Sequence, residues 1–418
     1  MHELLLRRVA TALLALFGLH LSAAAATHTW SGTTNTLWGN AGNWQEGTAP
    51  SAAEASVALV FPATLASGRF TNVNNVSNLV IQSITFQGGG YAITGVPLSL
   101  SGGLVYDAPS GSSSNNLALG ISLAAPQVWS VTNTNVFDMV GQVSGPGDLT
   151  KDGSGFLNLF GLNSYTGLTT VTLGTIGVNG ANALGNSAAG TSVAAGGIVS
   201  VNGAFTVLEP LTLAVGATLT NVGNNEWAGP ITLPGTGSSF LFSLTNTLTI
   251  SGLVSGTGGF MNLGGSAPVT LTANNTYTGA TQIRSGAVFT IDGNQPGSSA
   301  NISTQSTLGG SGIVGPITAT TGTIAPGHSP GILSTTGGLL LSPSSTVAVE
   351  LNGTTPGSGY DRIAVTGSVA LSSATLTVTA GFTPSTGDAF TIVDNDGADA
   401  VVGTFAGLPE GATFAVSG

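Results

Sequence analysis

The chain has 418 residues, of which 64 are Gly and none is Cys; only 6% are charged, and the formal net charge is −11. After residue 26 the only basic side chains are Arg69, Lys151, Arg284 and Arg362, against sixteen acidic ones. That balance excludes nucleic acid as a partner, because displacing phosphate counterions takes a basic patch. A mean hydropathy of +0.39 and regular strand patterning argue against a disordered, low-complexity chain.

Residues 1–26 read as a secretory signal: Arg7 and Arg8 form a charged start, residues 9–21 an apolar run, and Ala24-Ala25-Ala26 a small-residue cleavage site. The apolar run is shorter than the ~20 residues that span a bilayer. Residues 27–140 form an N-terminal β region that holds four of the five Trp. Alternating runs such as Asn78-Leu79-Val80-Ile81-Gln82-Ser83-Ile84-Thr85-Phe86 put one face in a core and one in solvent.

Residues 141–336 contain a duplication. The first copy reads Gly141-Gln142-Val143-Ser144-Gly145, then Phe156-Leu157-Asn158-Leu159, then Asn163-Ser164-Tyr165-Thr166-Gly167. The second reads Gly252-Leu253-Val254-Ser255-Gly256, Val269-Thr270-Leu271-Thr272 and Asn275-Thr276-Tyr277-Thr278-Gly279. Short β-prone runs separated by Gly and Asn, and repeated, specify a solenoid in which each unit buries its apolar face against its neighbours. Helix signals are missing, since Gly, Pro and Asn interrupt nearly every ten-residue stretch. The expected fold is therefore all-β, a right-handed parallel β-helix with coils of about 20 to 25 residues and a length of roughly 60 to 90 Å. Such a strip-like core explains how an exported chain holds together without disulfides. Residues 337–418 have longer strands and more acids, and read as a β-rich cap or further coils. A chain end at Gly418 leaves a strand without a cap, so the protein is expected to continue beyond it.

The first copy resembles the passenger-associated transport repeat, also called the autotransporter-associated β-strand repeat. Gly147-Asp148-Leu149-Thr150-Lys151-Asp152-Gly153-Ser154-Gly155 and residues 163–171 carry the likeness. In the second copy Gly264-Gly265-Ser266-Ala267-Pro268 replaces the Lys-x-Gly-x-Gly turn, while the Asn-x-Tyr-x-Gly half is intact. Residues 325–331 and 359–363 look like the C-terminal stretch of such proteins, and Trp30, Trp38 and Trp44 like the start of exported relatives. The resemblance implies an exported passenger at the outer-membrane surface or outside the cell, with an anchor or barrel further along, and no particular reaction. The repeat positions expected to shape its turns are Gly145, Lys151, Gly153, Gly155, Asn163, Tyr165, Gly167, Gly256, Asn275, Tyr277 and Gly279. Both tyrosines are expected to cap apolar strips in equivalent turns one repeat apart, with Gly167 and Gly279 at φ values barred to other residues.

Candidate chemistry is sparse. Gly327-His328-Ser329-Pro330-Gly331 fits a nucleophile-elbow pattern, but His328 is the last histidine and no helix can follow it, so a tight turn is expected. Asp394, Asp396 and Asp399 open like a calcium loop whose closing Glu is replaced by Phe405, which favours an acidic turn and leaves calcium undecided. Asp361 and Arg362 read as a local surface pair. Trp30, Trp38, Trp44 and Tyr91 read as a packed cap more readily than as a sugar platform. There is no catalytic residue, cofactor motif or metal set to name. The expected function is a non-catalytic adhesion, display or structural role. Its partners would be glycans, extracellular matrix or cell surfaces; membrane contact would come only through the signal or a further C-terminal element, and self-association is open to so weakly charged a surface. The alternative is a polysaccharide-binding or polysaccharide-cleaving β-helix.

Overall fold

The structure is a computed structural model that describes residues 25–264, 267–397 and 399–413. All but the last two residues of the expected signal, and the terminal segment from Phe414, lie outside the described residues.

Among the described residues the only helix is one short turn, Ala41–Asn43, and everything else is strand or turn. The strands form sheets of 13, 16, 9 and 5 members, and their ladders are parallel. Most sequential strands fall in different sheets, so the chain winds around a common axis and each coil stacks on the last. Sixteen strands at a spacing of ~4.8 Å make a stack about 70 Å long.

Residue patterning explains the coil. Thr346–Leu351 and Gly197–Asn202 alternate strictly between half-exposed and buried positions, the period of two that a pleated strand imposes. Stacking then turns single residues into columns. Leu157, Ile176, Val199, Leu219 and Leu241 are successive register partners, each fully buried. Each such side chain stabilises the coil by about 1.5 to 3 kcal/mol through burial. The outward side is also ordered: Thr150, Thr170, Ser192, Thr212, Thr232 and Ser255 are partners in one ladder.

The cross-section changes along the stack. The thirteen-stranded sheet runs from Ala26–Thr29 to Val254–Gly256, a nine-stranded sheet joins from Thr206–Val207, and a five-stranded sheet from Asn294–Gln295. The sixteen-stranded sheet runs from Thr71–Asn74 to Val401–Val402, across both expected boundaries near residues 140 and 336. The C-terminal strands are further coils of the same stack.

Trp30, Trp38 and Trp44 close over the first described coils. Trp44 meets Trp30 and Trp38 edge to face at 5.2 and 6.1 Å, and all three are buried. Their indole N–H groups donate to Arg69 O, Asn72 Oδ1 and Trp38 O, so no ring face is offered for stacking a ligand.

Candidate functional site

The Asn-x-Tyr-x-Gly corners have matching local geometry. Asn163 Oδ1 accepts from Val143 N and Asn275 Oδ1 from Val254 N, both at 2.8 Å. Tyr165 and Tyr277 are fully buried, with hydroxyls 2.7 Å from Thr169 Oγ1 and Thr281 Oγ1. Burial pushes both phenols up, Tyr277 to about 12.

Their placement differs from expectation. Ser164 and Thr166 bond down onto Val143 and Gly145, in the column of Ile121–Leu123. Thr276 and Thr278 bond onto Val254 and Gly256, in the column of Thr169–Val171, which is the next face round the coil. Counted along the sixteen-stranded sheet, the second corner also lies five strands beyond the first.

Gly167 and Gly279 do not have left-handed φ; they are small because a Cβ would stand 2.3 Å from Gly147 O and Gly258 C in the coil below. Gly145 (φ +97°), Gly153 (φ +77°) and Gly256 (φ +110°) are the repeat glycines that need the left-handed region. At Gly155 a Cβ would meet Asn135 O at 2.6 Å.

Lys151 points into the coil and is fully buried. Its ammonium donates to the carbonyls of Asp152, Gly153 and Leu173 at 2.8, 2.6 and 3.1 Å, and burial lowers its pKa to about 8. The tether thus spans two coils. In the second copy Asn262 takes this place, its Oδ1 accepting from Gly264 N at 3.4 Å.

The corner at 327–331 gathers acids but makes no triad. His328 Nε2 lies 2.6 Å from Asp292 Oδ1, while Ser329 Oγ donates to Glu350. Serine and histidine therefore have separate partners. Asp361 is buried and accepts from Gly331 N and Glu350 N at 2.7 and 2.8 Å, and burial raises its pKa. It is a backbone clamp, not the surface partner of Arg362, which pairs with Asp394 at 2.8 Å. Asp394 lies in the strand Val393–Asn395 rather than in a loop, because its neighbours register with Ile363 and Val365. Among the described residues no group of three or more His, Cys, Asp or Glu is placed to hold a metal.

Most acids of the repeat region are likewise committed locally. Asp148 accepts from Leu168 N, Asp152 from Thr172 Oγ1, and Glu226 from Thr206 and Ser251. Glu209 differs. It is 4% exposed, its Oε1 accepts from Thr191 at 3.1 Å, and burial pushes its carboxyl up to about 7. Oε2 has no hydrogen-bond partner among the described residues. The side chain lines a cleft of about 330 Å³ with Ser164, Asn182, Leu184, Asn186 and Leu208. In the sequence Glu209 is one isolated acid; only coil stacking brings it beside residues 18 to 45 positions away.

One curated relative shares this kind of sequence. Over 148 residues the chain is 30% identical to "Adhesin BmaC autotransporter" of Brucella suis biovar 1 (strain 1330). Similarity and fold are together consistent with an autotransporter-associated β-strand repeat protein. The match covers 35% of this chain and 4% of that adhesin. No family model matches the chain, and no solved structure does.

Proposed function

We propose that the protein is an exported passenger of the bacterial surface or its surroundings, with an adhesin-like, non-catalytic role. The likeness to an autotransporter adhesin carries this reading. The fold supports it, since about 70 Å of stacked coil supplies a long side surface. The ionisable groups at 292, 328, 350 and 361, with the Ser329 hydroxyl, are engaged in pairs and backbone bonds that hold a corner together, which suits a scaffold better than proton transfer. Its partners would be cell surfaces, matrix or glycans, met without chemical change.

The alternative of polysaccharide cleavage, in its hydrolytic form, calls for two carboxylates about 5 to 9.5 Å apart across a sugar linkage. The cleft at Glu209 is lined by that carboxylate alone, and in the cleft at 325–329 Glu350 and Asp361 are engaged by the Ser329 hydroxyl and by backbone N–H groups, which favours retention over cleavage. A direct trial presents the purified chain to cells, matrix proteins and acidic polysaccharides. Saturable attachment without new reducing or unsaturated ends is the expected result; release of such ends, abolished by mutating one carboxylate, would overturn the reading.

A further inference from the structure

The two Tyr corners can be compared coil by coil through their backbone bonds. Asn163 N donates to Asn182 O and Asn275 N to Asn294 O; Thr191 N donates to Pro210 O and Ala300 N to Pro316 O. Glu209 therefore stands where the second corner has Gly315, and Thr191 where it has Ala300. At Gly315 a Cβ would meet Ser298 O at 2.7 Å, so that corner closes with no side chain at the position of Glu209, and the buried Ser298 hydroxyl bonds Gly279 O instead. The same architecture forms without the acid and without the hydroxyl that binds it. Burial of the Glu209 carboxylate is unfavourable and is offset within the coil only by the Thr191 hydroxyl on Oε1, while Oε2 faces the open cleft.

The cleft into which Glu209 opens has a definite chemistry. Ser164, Asn182, Asn186 and Ser187 are exposed and line it with hydroxyls and amides, groups that both donate and accept. Leu208, 65% exposed, and Leu184 add apolar surface. No Lys, Arg or His is among the lining residues, so an anion has no counter-charge, and a single carboxylate is a poor set for a divalent cation. A neutral ligand rich in hydroxyls matches the lining: it can donate to the free Oε2, exchange bonds with the amides, and lay C–H groups on the leucines. A volume of about 330 Å³ is at the small end of ligand sites, the scale of one sugar ring.

We infer that this cleft is a subsite for one residue of a neutral glycan, with Glu209 as the deep acceptor; this deepens the adhesive reading and rests on it. The test is an amide-resolved NMR titration of the whole chain with methyl glycosides of glucose, galactose, mannose and N-acetylglucosamine. At least one glycoside should shift, saturably, the amides of Ser164, Asn182, Asn186 and Ser187. Glu209→Gly, which copies the second corner, and the exposed Asn182→Ala should each weaken that binding by about tenfold or more, as expected for loss of a buried hydrogen bond. The inference falls if no glycoside moves these amides, if Glu209→Gly binds as the native chain does, or if calcium chloride alone moves them. Cell attachment by the native chain and by Glu209→Gly separates the two levels. Undiminished attachment with no glycoside binding sinks the subsite and spares the adhesive reading; no attachment by the native chain sinks that reading itself.

Discussion

Lys151 and Glu209, both buried in the repeat region, respond to pH in opposite directions. The Glu209 carboxyl is raised to about 7 by burial, so its contribution to stability is complete at acid pH and is lost as pH rises through that value. Lys151 is lowered to about 8, so its contribution is complete in alkali and is lost as pH falls through 8. Both are least favourable between pH 7 and 8. Denaturant unfolding should show the native chain losing about 1 to 2 kcal/mol between pH 5 and 8, with Glu209→Gln much flatter; parallel profiles would reject this. Replacing Lys151 with Met removes the donor to three carbonyls and should cost about 2 to 4 kcal/mol. The sequence shows that Lys151 belongs to a turn. That its ammonium reaches Leu173 in the next coil depends on the length of the intervening turns, which pairing rules do not supply.

At the scale of the coil, two kinds of glycine are distinguished by experiment. Gly286 has φ +76° with open space where a methyl would stand, whereas Gly279 has ordinary φ and backbone 2.3 Å from that position. Gly286→Ala should cost about 1 to 2 kcal/mol from left-handed strain, and Gly279→Ala about 3 kcal/mol from overpacking. The reverse order in thermal or denaturant unfolding would reject this account. The strands themselves are legible in the sequence, because alternation of Val, Leu and Ile with Thr and Ser fixes which face turns inward. The facing of the Tyr corners is not: Asn-x-Tyr-x-Gly identifies a local corner, but its azimuth accumulates from every turn between residues 167 and 275. Glu209 escapes a sequence reading for the same reason, since its partner Thr191 is reached only through stacking.

Over the whole molecule, each coil pairs its strands only with its neighbours, and bonds that skip a coil, such as Gln282 Nε2 to Ser238 Oγ at 3.3 Å, are side-chain contacts, so damage should stay local. Tyr277→Ala, which removes a fully buried ring, should cost about 3 to 5 kcal/mol. Hydrogen exchange should then speed up in strands from Gly259–Asn262 to Thr307–Gly310, while Val80–Phe86 and Gln127–Val131 keep their protection. Uniform loss along the stack would show a cooperativity that nearest-neighbour contacts do not provide.

The outward ladder of Thr150, Thr170, Ser192, Thr212, Thr232 and Ser255 bears on the medium in which the protein can work. Its hydroxyls recur about every 4.8 Å and carry no charge, so a surface resting on them would not be held by counter-ions. Brine, dilution and sea-like salinity should leave such a grip nearly unchanged: attachment through this strip should vary by less than about twofold between roughly 0.05 and 0.5 M NaCl, where an ionic contact would fade with the shrinking Debye length.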